Sequence, residues 1–270
     1  MNEQNFENLK TQIMYSGFGQ EKEYDLREQM QRNEVKFSLP HTAQYGKDTV
    51  EATLNFKKSD KSDLVFYNSY HVKLDKGNGE KPMEQTFFIN NMGQSITLKE
   101  AYNLMEGRSV NKNLYNKEEE RYNVWIKLDL KNTDKDGNFK LHTYGENYGY
   151  KLEDLLEKHP IKELANEEAK KELLDSLKKG NVQSATFVKG DTEVRQYIEA
   201  NPQFKNIKLY DEQMQPLHSR KLQDEKQGQA EGQDAASKQK AEKEGQSTSD
   251  DGPGAEAKGK GKGKKPSRSA

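Results

Sequence analysis

From Lys221 to Ala270 the chain holds one large apolar side chain, Leu222, and no aromatic ring. A segment of that kind cannot bury enough surface to offset the entropy of ordering it. The tail is therefore expected to be disordered, and the fold has to be made by the residues before it. Across the whole chain 44 Lys and Arg face 45 Asp and Glu. The tail takes 11 of the former and 9 of the latter, so residues 1–220 keep 33 and 36 and are net −3. Beyond Glu256 come Lys258, Lys260, Lys262, Lys264, Lys265 and Arg268 with no acid among them. A glycine-spaced basic end can touch phosphates or any anionic surface. A purely solubilising role fits the same residues.

The absence of cysteine excludes a disulfide framework, a thiolate nucleophile and a Cys-ligated zinc site. The opening MNEQNFENLK has neither a basic nor an apolar stretch of the secretory kind. No apolar run approaches the ~20 residues that cross a bilayer. The expectation is a cytoplasmic protein without membrane contact.

Before the tail the hydrophobic period changes several times. Phe6, Leu9, Ile13 and Met14 have helical spacing, broken at Gly17-Phe18-Gly19, and a second short helix is predicted over 21–32. Val50, Ala52, Leu54 and Phe56 alternate with polar residues, as do Leu64, Phe66, Tyr70, Val72 and Leu74, with Asn68 as the one polar intruder. The Ser-, Asp- and Lys-rich stretch 58–63 suits a hairpin, 76–79 a turn, and 85–90 a further strand. Thr97 and Glu100 have the spacing of a capping box at the head of a helix with Leu98, Ala101, Tyr102, Leu104 and Met105 on its buried face. Tyr122, Val124, Ile126, Leu128 and Leu130 form the cleanest alternation, returned by 132–138 into Phe139, Leu141 and Thr143. The predicted class is α+β, an antiparallel sheet with few packed helices. Leu54, Phe56, Leu64, Phe66, Val124, Ile126 and Leu128 are expected to line one core against the helix of 98–105.

A smaller helix-helix-hairpin unit is expected from 151. Leu152, Leu155 and Leu156 precede Pro160, and Asn166 can cap a helix striped by Ala169, Leu173, Leu174 and Leu177 and stopped at Gly180. Strands follow at 182–188 and 194–199, with a third at 207–210. The domain reading is thus 1–150, 151–218 and a tail at 219–270.

Recognisable catalytic chemistry is missing from the text. His41, His71, His142, His159 and His218 make no close metal-ligand spacing. There is no G-x-S-x-G elbow, no dinucleotide loop and no phosphate-binding loop, so no catalytic residue, metal or cofactor is assigned. Asn132, Asp134, Asp136 and Gly137 imitate the start of a calcium loop. Its twelfth position, however, is Thr143 rather than a bidentate Glu, and a hairpin turn is the expected reading. Tyr148-Gly149-Tyr150 resembles the middle of an RNA-recognition motif without its flanking residues. Tyr148 and Tyr150 could stack on unpaired bases if exposed, and a tyrosine-rich corner under the next helix is the competing reading.

Several phrases resemble a family of bacterial proteins: YSGFG at 15–19, EATLNFKKSDKSDLVFYNSY at 51–70, ITLKEAYNLMEGRSVNK at 96–112 and HPIKEL at 159–164. QSATFVK at 183–189 and IEANPQFKNIKLYD at 198–211 continue the likeness. The closing unit, Ser176 to Asp211, is similar to a domain of unknown function found in proteins of conjugative and mobilisable elements, sometimes beside topoisomerase-type modules. The resemblance implies a bacterial accessory protein concerned with mobile-element DNA and carries no site residues with it. Two readings of function follow. The first is a non-enzymatic accessory module with the sheet as platform and the tail as tether, whose partner is DNA or RNA held by the basic tail and the two tyrosines, or a mobile-element protein. The second is an enzyme with a site assembled from His71, His142, Glu146 and Asn147. Convergence of those four in one enclosed pocket would favour the enzyme.

Overall fold

The computed structural model describes residues 1–90, 95–116 and 118–217. The alternating runs become antiparallel meanders. β1 (Lys36–Tyr45), β2 (Asp48–Lys58), β3 (Val65–Asp75) and β4 (Met83–Phe88) form a four-stranded sheet in chain order. β5 (Val110–Tyr115), β6 (Arg121–Thr133) and β7 (Phe139–Gly145) form a second sheet. β8 (Gln183–Lys189), β9 (Thr192–Asn201) and β10 (Asn206–Tyr210) form a third, with β9 central. Five α-helices accompany these ten strands among the described residues, so the class is α+β.

The inner face of the first sheet is mostly apolar, with His41, Asp48 and Gln85 as inward polar positions. Val50, Ala52, Leu54 and Phe56 of β2 are buried, and a stacked ladder runs Phe37–Phe56–Tyr67 with ring centroids 4.9 Å apart at each step. Such cross-strand aromatic pairs each add about 0.2–1 kcal/mol. This face is covered by α1 (Glu3–Ile13) through Phe6, Leu9 and Ile13, and by α2 (Glu23–Arg32) through Leu26 and Met30. α3 (Leu98–Met105) completes the cover. Its head carries the expected capping box: the Thr97 hydroxyl accepts from the Glu100 N–H, and the Glu100 carboxylate accepts from the Thr97 N–H at 2.8 Å. Val124, Ile126 and Leu128 of β6 are buried in this same core, as their spacing requires.

β3 corrects the expected register. Its buried residues are Val65, Tyr67, Tyr70, Val72 and Leu74, while Phe66 is 42% exposed. Asn55 pairs with Ser69 and Phe56 with Tyr67, so Asn68 is an extra residue opposite nothing. A bulge of this kind shifts the alternation by one residue. Asn68, read as an intruder in an unbroken run, is where the run changes phase. Leu64 and Phe66 consequently leave the core.

The second core lies on the other side of β6. Trp125 packs edge-to-face on Tyr150 (5.3 Å, 83°) together with Leu152 and Leu156 of α4 (Leu152–Leu156). α5 (Glu167–Lys178) adds Leu173, Leu174 and Leu177 against Ala185, Phe187, Ile198 and Ala200. Asn166 caps α5, accepting from the Ala169 N–H. The boundary between cores therefore runs through one strand rather than at residue 150, and residues 1–218 make one compact unit. Side chains cross the seam. The Asn103 amide of α3 donates to the Lys179 carbonyl (2.7 Å) and to Asn181 (2.9 Å), and it accepts from Arg108.

Candidate functional site

The residues singled out from the sequence divide sharply. Lys258, Lys260, Lys262, Lys264, Lys265 and Arg268 lie outside the described residues, as does His218. Tyr150 cannot stack on a base. It is 9% exposed, its ring is packed against Trp125, its hydroxyl accepts from the Asn201 N–H at 3.2 Å, and burial raises its pKa. Tyr148 is half-buried, donates to the Gln203 carbonyl (2.8 Å), and has the Tyr144 ring 4.9 Å away and the Lys205 ammonium 4.5 Å from its own ring. The pair is a tyrosine corner seating the second core, with little ring face to offer a ligand.

The four residues of the enzyme reading are not brought together. His71, on β3, sits between Thr86 (3.2 Å) and Glu84 (3.4 Å). His142, on β7 in a different sheet, faces Asp129 at 3.3 Å. Glu146 and Asn147 stand exposed in the 3-10 turn after β7, and no hydrogen bond or ion pair joins them to either histidine. The calcium-like segment is a β-hairpin turn. Oδ1 of Asp134 accepts from the N–H groups of Asp136 and Asn138, both at 2.9 Å, which is turn chemistry. No cluster of three or more His, Asp or Glu side chains among the described residues has metal-site geometry.

What the fold does present is the outer face of the first sheet. Each strand contributes the residues left over when the others turn inward, and pairing aligns them in rows. Across β1, β2 and β3 the first row reads Lys36, Lys57, Phe66. The second adds β4 and reads Ser38, Asn55, Ser69, Phe88. The third reads Pro40, Thr53, His71, Thr86, and the fourth Thr42, Glu51, Lys73, Glu84. Phe88 is 75% exposed, while its neighbour Phe87 stacks inward on Tyr70. The bulge aims Asn68 outward beside Phe66; its carbonyl accepts from the Ile89 N–H, and its side-chain amide is free of partners among the described residues. The start of β3 is pinned from behind, where the Asn5 amide exchanges two hydrogen bonds with the Val65 backbone (2.8 and 3.0 Å).

The two ends of this face differ in charge. At the far end Glu51 pairs with Lys73 at 3.0 Å, a hydrogen bond that raises the lysine pKa, and Glu84 faces His71. At the near end Lys36 stands directly opposite Lys57, a like-charged cross-strand pair. Lys57 reaches Asp60 at 3.2 Å and Lys58 reaches Asp63 at 2.9 Å, whereas Lys36 and Lys61 have no carboxylate partner among the described residues. A shallow cleft of about 280 Å³ opens here, lined by Lys57, Asp60, Lys61, Phe66 and Asn68 among others.

No protein-family model, no curated protein and no solved structure matches the chain. The sequence pattern hides this surface because Phe66 falls in phase with the apolar alternation of Leu64, Tyr70, Val72 and Leu74. Asn68 in mid-run was the available signal, since a polar residue at an inward position of a strand marks a bulge or a change of face.

Proposed function

We propose that the chain is a non-enzymatic, cytoplasmic binding module, an accessory to mobile-element DNA or its protein machinery, and that the outer face of β1–β4 is its docking surface. The observation that carries the reading is the pair of exposed phenylalanines, Phe66 and Phe88, on a broad sheet face that is otherwise almost wholly polar or charged. Clustered aromatic rings left in water beside free polar groups are the composition of a binding patch rather than of a merely solvated face. The dispersal of His71, His142, Glu146 and Asn147 speaks for the binding reading, since catalysis needs groups that converge on one reacting atom. The mobile-element context rests on the resemblance alone. No helix among the described residues is long and apolar enough to cross a membrane, which suits a cytoplasmic module.

The test is photo-crosslinking in cells. A photoreactive phenylalanine is placed at Thr53, in the middle of the face, or at Glu172, on the exposed side of α5. Macromolecular adducts are expected from position 53 and not from 172. Equal yields from both, or none from 53, would remove the face as the docking surface.

A further inference from the structure

Taking the outer face as the docking surface, we infer that its Lys36–Phe66 end binds single-stranded nucleic acid. Three features meet there. The first is cationic: Lys36 and Lys57 are held side by side across paired strands, with Lys61 at the rim of the adjoining cleft. Two like charges directly opposite one another destabilise a sheet, and an anion seated between them relieves that. Lys36, Lys57, Lys58 and Lys61 outnumber Glu34, Asp60 and Asp63 by one, which leaves this end net positive although residues 1–220 are net negative. The second feature is aromatic. Phe66 on β3 and Phe88 on β4 are diagonal neighbours of one face, and such positions stand roughly 7–8 Å apart. The third is the free Asn68 amide between them, which can both donate to and accept from a base edge.

Together these are a phosphate rail, two stacking rings and one polar reader, the combination by which sheet surfaces hold unpaired strands. A duplex fits less well, because its bases are already stacked and hidden from the rings. A protein partner fits less well too, because lysine is depleted at the centres of protein interfaces. The far end of the face lacks the rail: Glu51, Glu84 and Asp75 outnumber Lys73 there. In the bound state phosphates lie along Lys36, Lys57 and Lys61, consecutive bases rest on Phe66 and Phe88, and Asn68 meets the edge of one of them.

The experiment is fluorescence anisotropy with labelled oligodeoxythymidylate of about 12 nucleotides, within the site sizes of such platforms, against the same strand in duplex form. The protein is the full chain carrying Lys258→Gln, Lys260→Gln, Lys262→Gln, Lys264→Gln, Lys265→Gln and Arg268→Gln, so that tail charge cannot supply the signal. The single strand is expected to bind more tightly than the duplex. Phe66→Ala with Phe88→Ala is expected to weaken binding about tenfold or more, from loss of stacking. Phe66→Tyr with Phe88→Tyr, which keeps both rings, should retain it. Lys36→Gln, Lys57→Gln and Lys61→Gln together should reduce the slope of log affinity against log salt by about two, at roughly 0.7 per contact on a single strand. Unchanged affinity in the alanine pair, or no binding by the tail-neutralised chain at low salt, overturns the inference. If that chain fails to bind while position 53 yields nuclease-resistant protein adducts, only the nucleic-acid inference falls and the docking face stands. If position 53 also yields nothing, both fall.

Discussion

The sheet of β1–β4 and the sheet of β5–β7 are both short antiparallel meanders, yet they end up in opposite situations. The first is covered on one side by α1, α2, α3 and β6, and keeps its other side in water. The second is covered on both sides along its central strand, where Val124, Trp125 and Ile126 are consecutive and all buried. Three successive buried residues in a strand mean that something packs on each face. Here Val124 and Ile126 meet the first core and Trp125 meets the second. The difference teaches where each sheet can act: β6 holds the molecule together, and the open sheet is free to meet a partner.

The comparison breaks first at Trp125. Trp125→Ala should destabilise the protein by about 3–5 kcal/mol through the lost burial and the cavity left behind. Thr53→Ala, at the centre of the open face, should stay within about 0.5 kcal/mol. Urea midpoints at constant slope decide between them, and similar shifts in the two variants would mean that the faces do not differ as described. Next comes the seam between the cores at Gly180, where φ is +79° and an added Cβ would lie 2.9 Å from the Ser109 carbonyl oxygen and 3.1 Å from the Asn103 Cβ. Gly180→Ala should cost about 1–3 kcal/mol, as expected of backbone forced into a sparse region, read from the same denaturation curves.

A pH effect follows on the covered side of the first sheet. His41 packs edge-to-face on Phe18 (5.3 Å), with Glu21 3.7 Å away and Lys22 nearby. Burial, and then the Lys22 charge, lower its pKa below the ordinary 6.5, with Glu21 opposing. The folded protein therefore binds this proton less readily than the unfolded chain. The stability contribution is full above the unfolded pKa and is lost as pH falls through the folded one. His41→Asn should show a smaller drop in melting temperature between neutral and mildly acidic pH than the parent. Equal drops would remove His41 from the account. The smallest effect is on the open face itself. Lys36→Glu should stabilise the fold by about 0.2–1 kcal/mol by removing the like-charged pair with Lys57, while weakening oligonucleotide binding. A gain in stability without a loss of binding would separate the pair from the site.

How far this was legible depends on which signal each element carries. α3 could be read because Thr97 and Glu100 announce its start, and β2 and β6 because their inward positions are strongly apolar. α5 could be read because Asn166 and Gly180 bracket a leucine stripe. β1 escaped notice because its inward residues after Leu39 are His41, Ala43 and Tyr45 and because Pro40 interrupts it. Proline is tolerated there since β1 is an edge strand. β5 was silent because Asn111 and Asn113 satisfy Asn123 across the strands instead of presenting apolar side chains. The second face of β6 could not be inferred from period-two logic, which assigns one face to water and so hides the role of Trp125. Period-two logic hides the candidate surface for the same reason in reverse: Phe66 is aromatic in an alternating run, and only the bulge at Asn68 turns it outward.

The central claim, that the open face near Phe66 is where a partner docks, is tested most directly by amide chemical-shift mapping. Isotope-labelled full chain is titrated with the single-stranded oligonucleotide. The account predicts that shifts concentrate at Lys36, Ser38, Asn55, Lys57, Phe66, Asn68, Ser69 and Phe88, with α5 and β8 unmoved. Shifts gathered on α5 and β8, or limited to the residues after 218 with the sheet face unchanged, would contradict it.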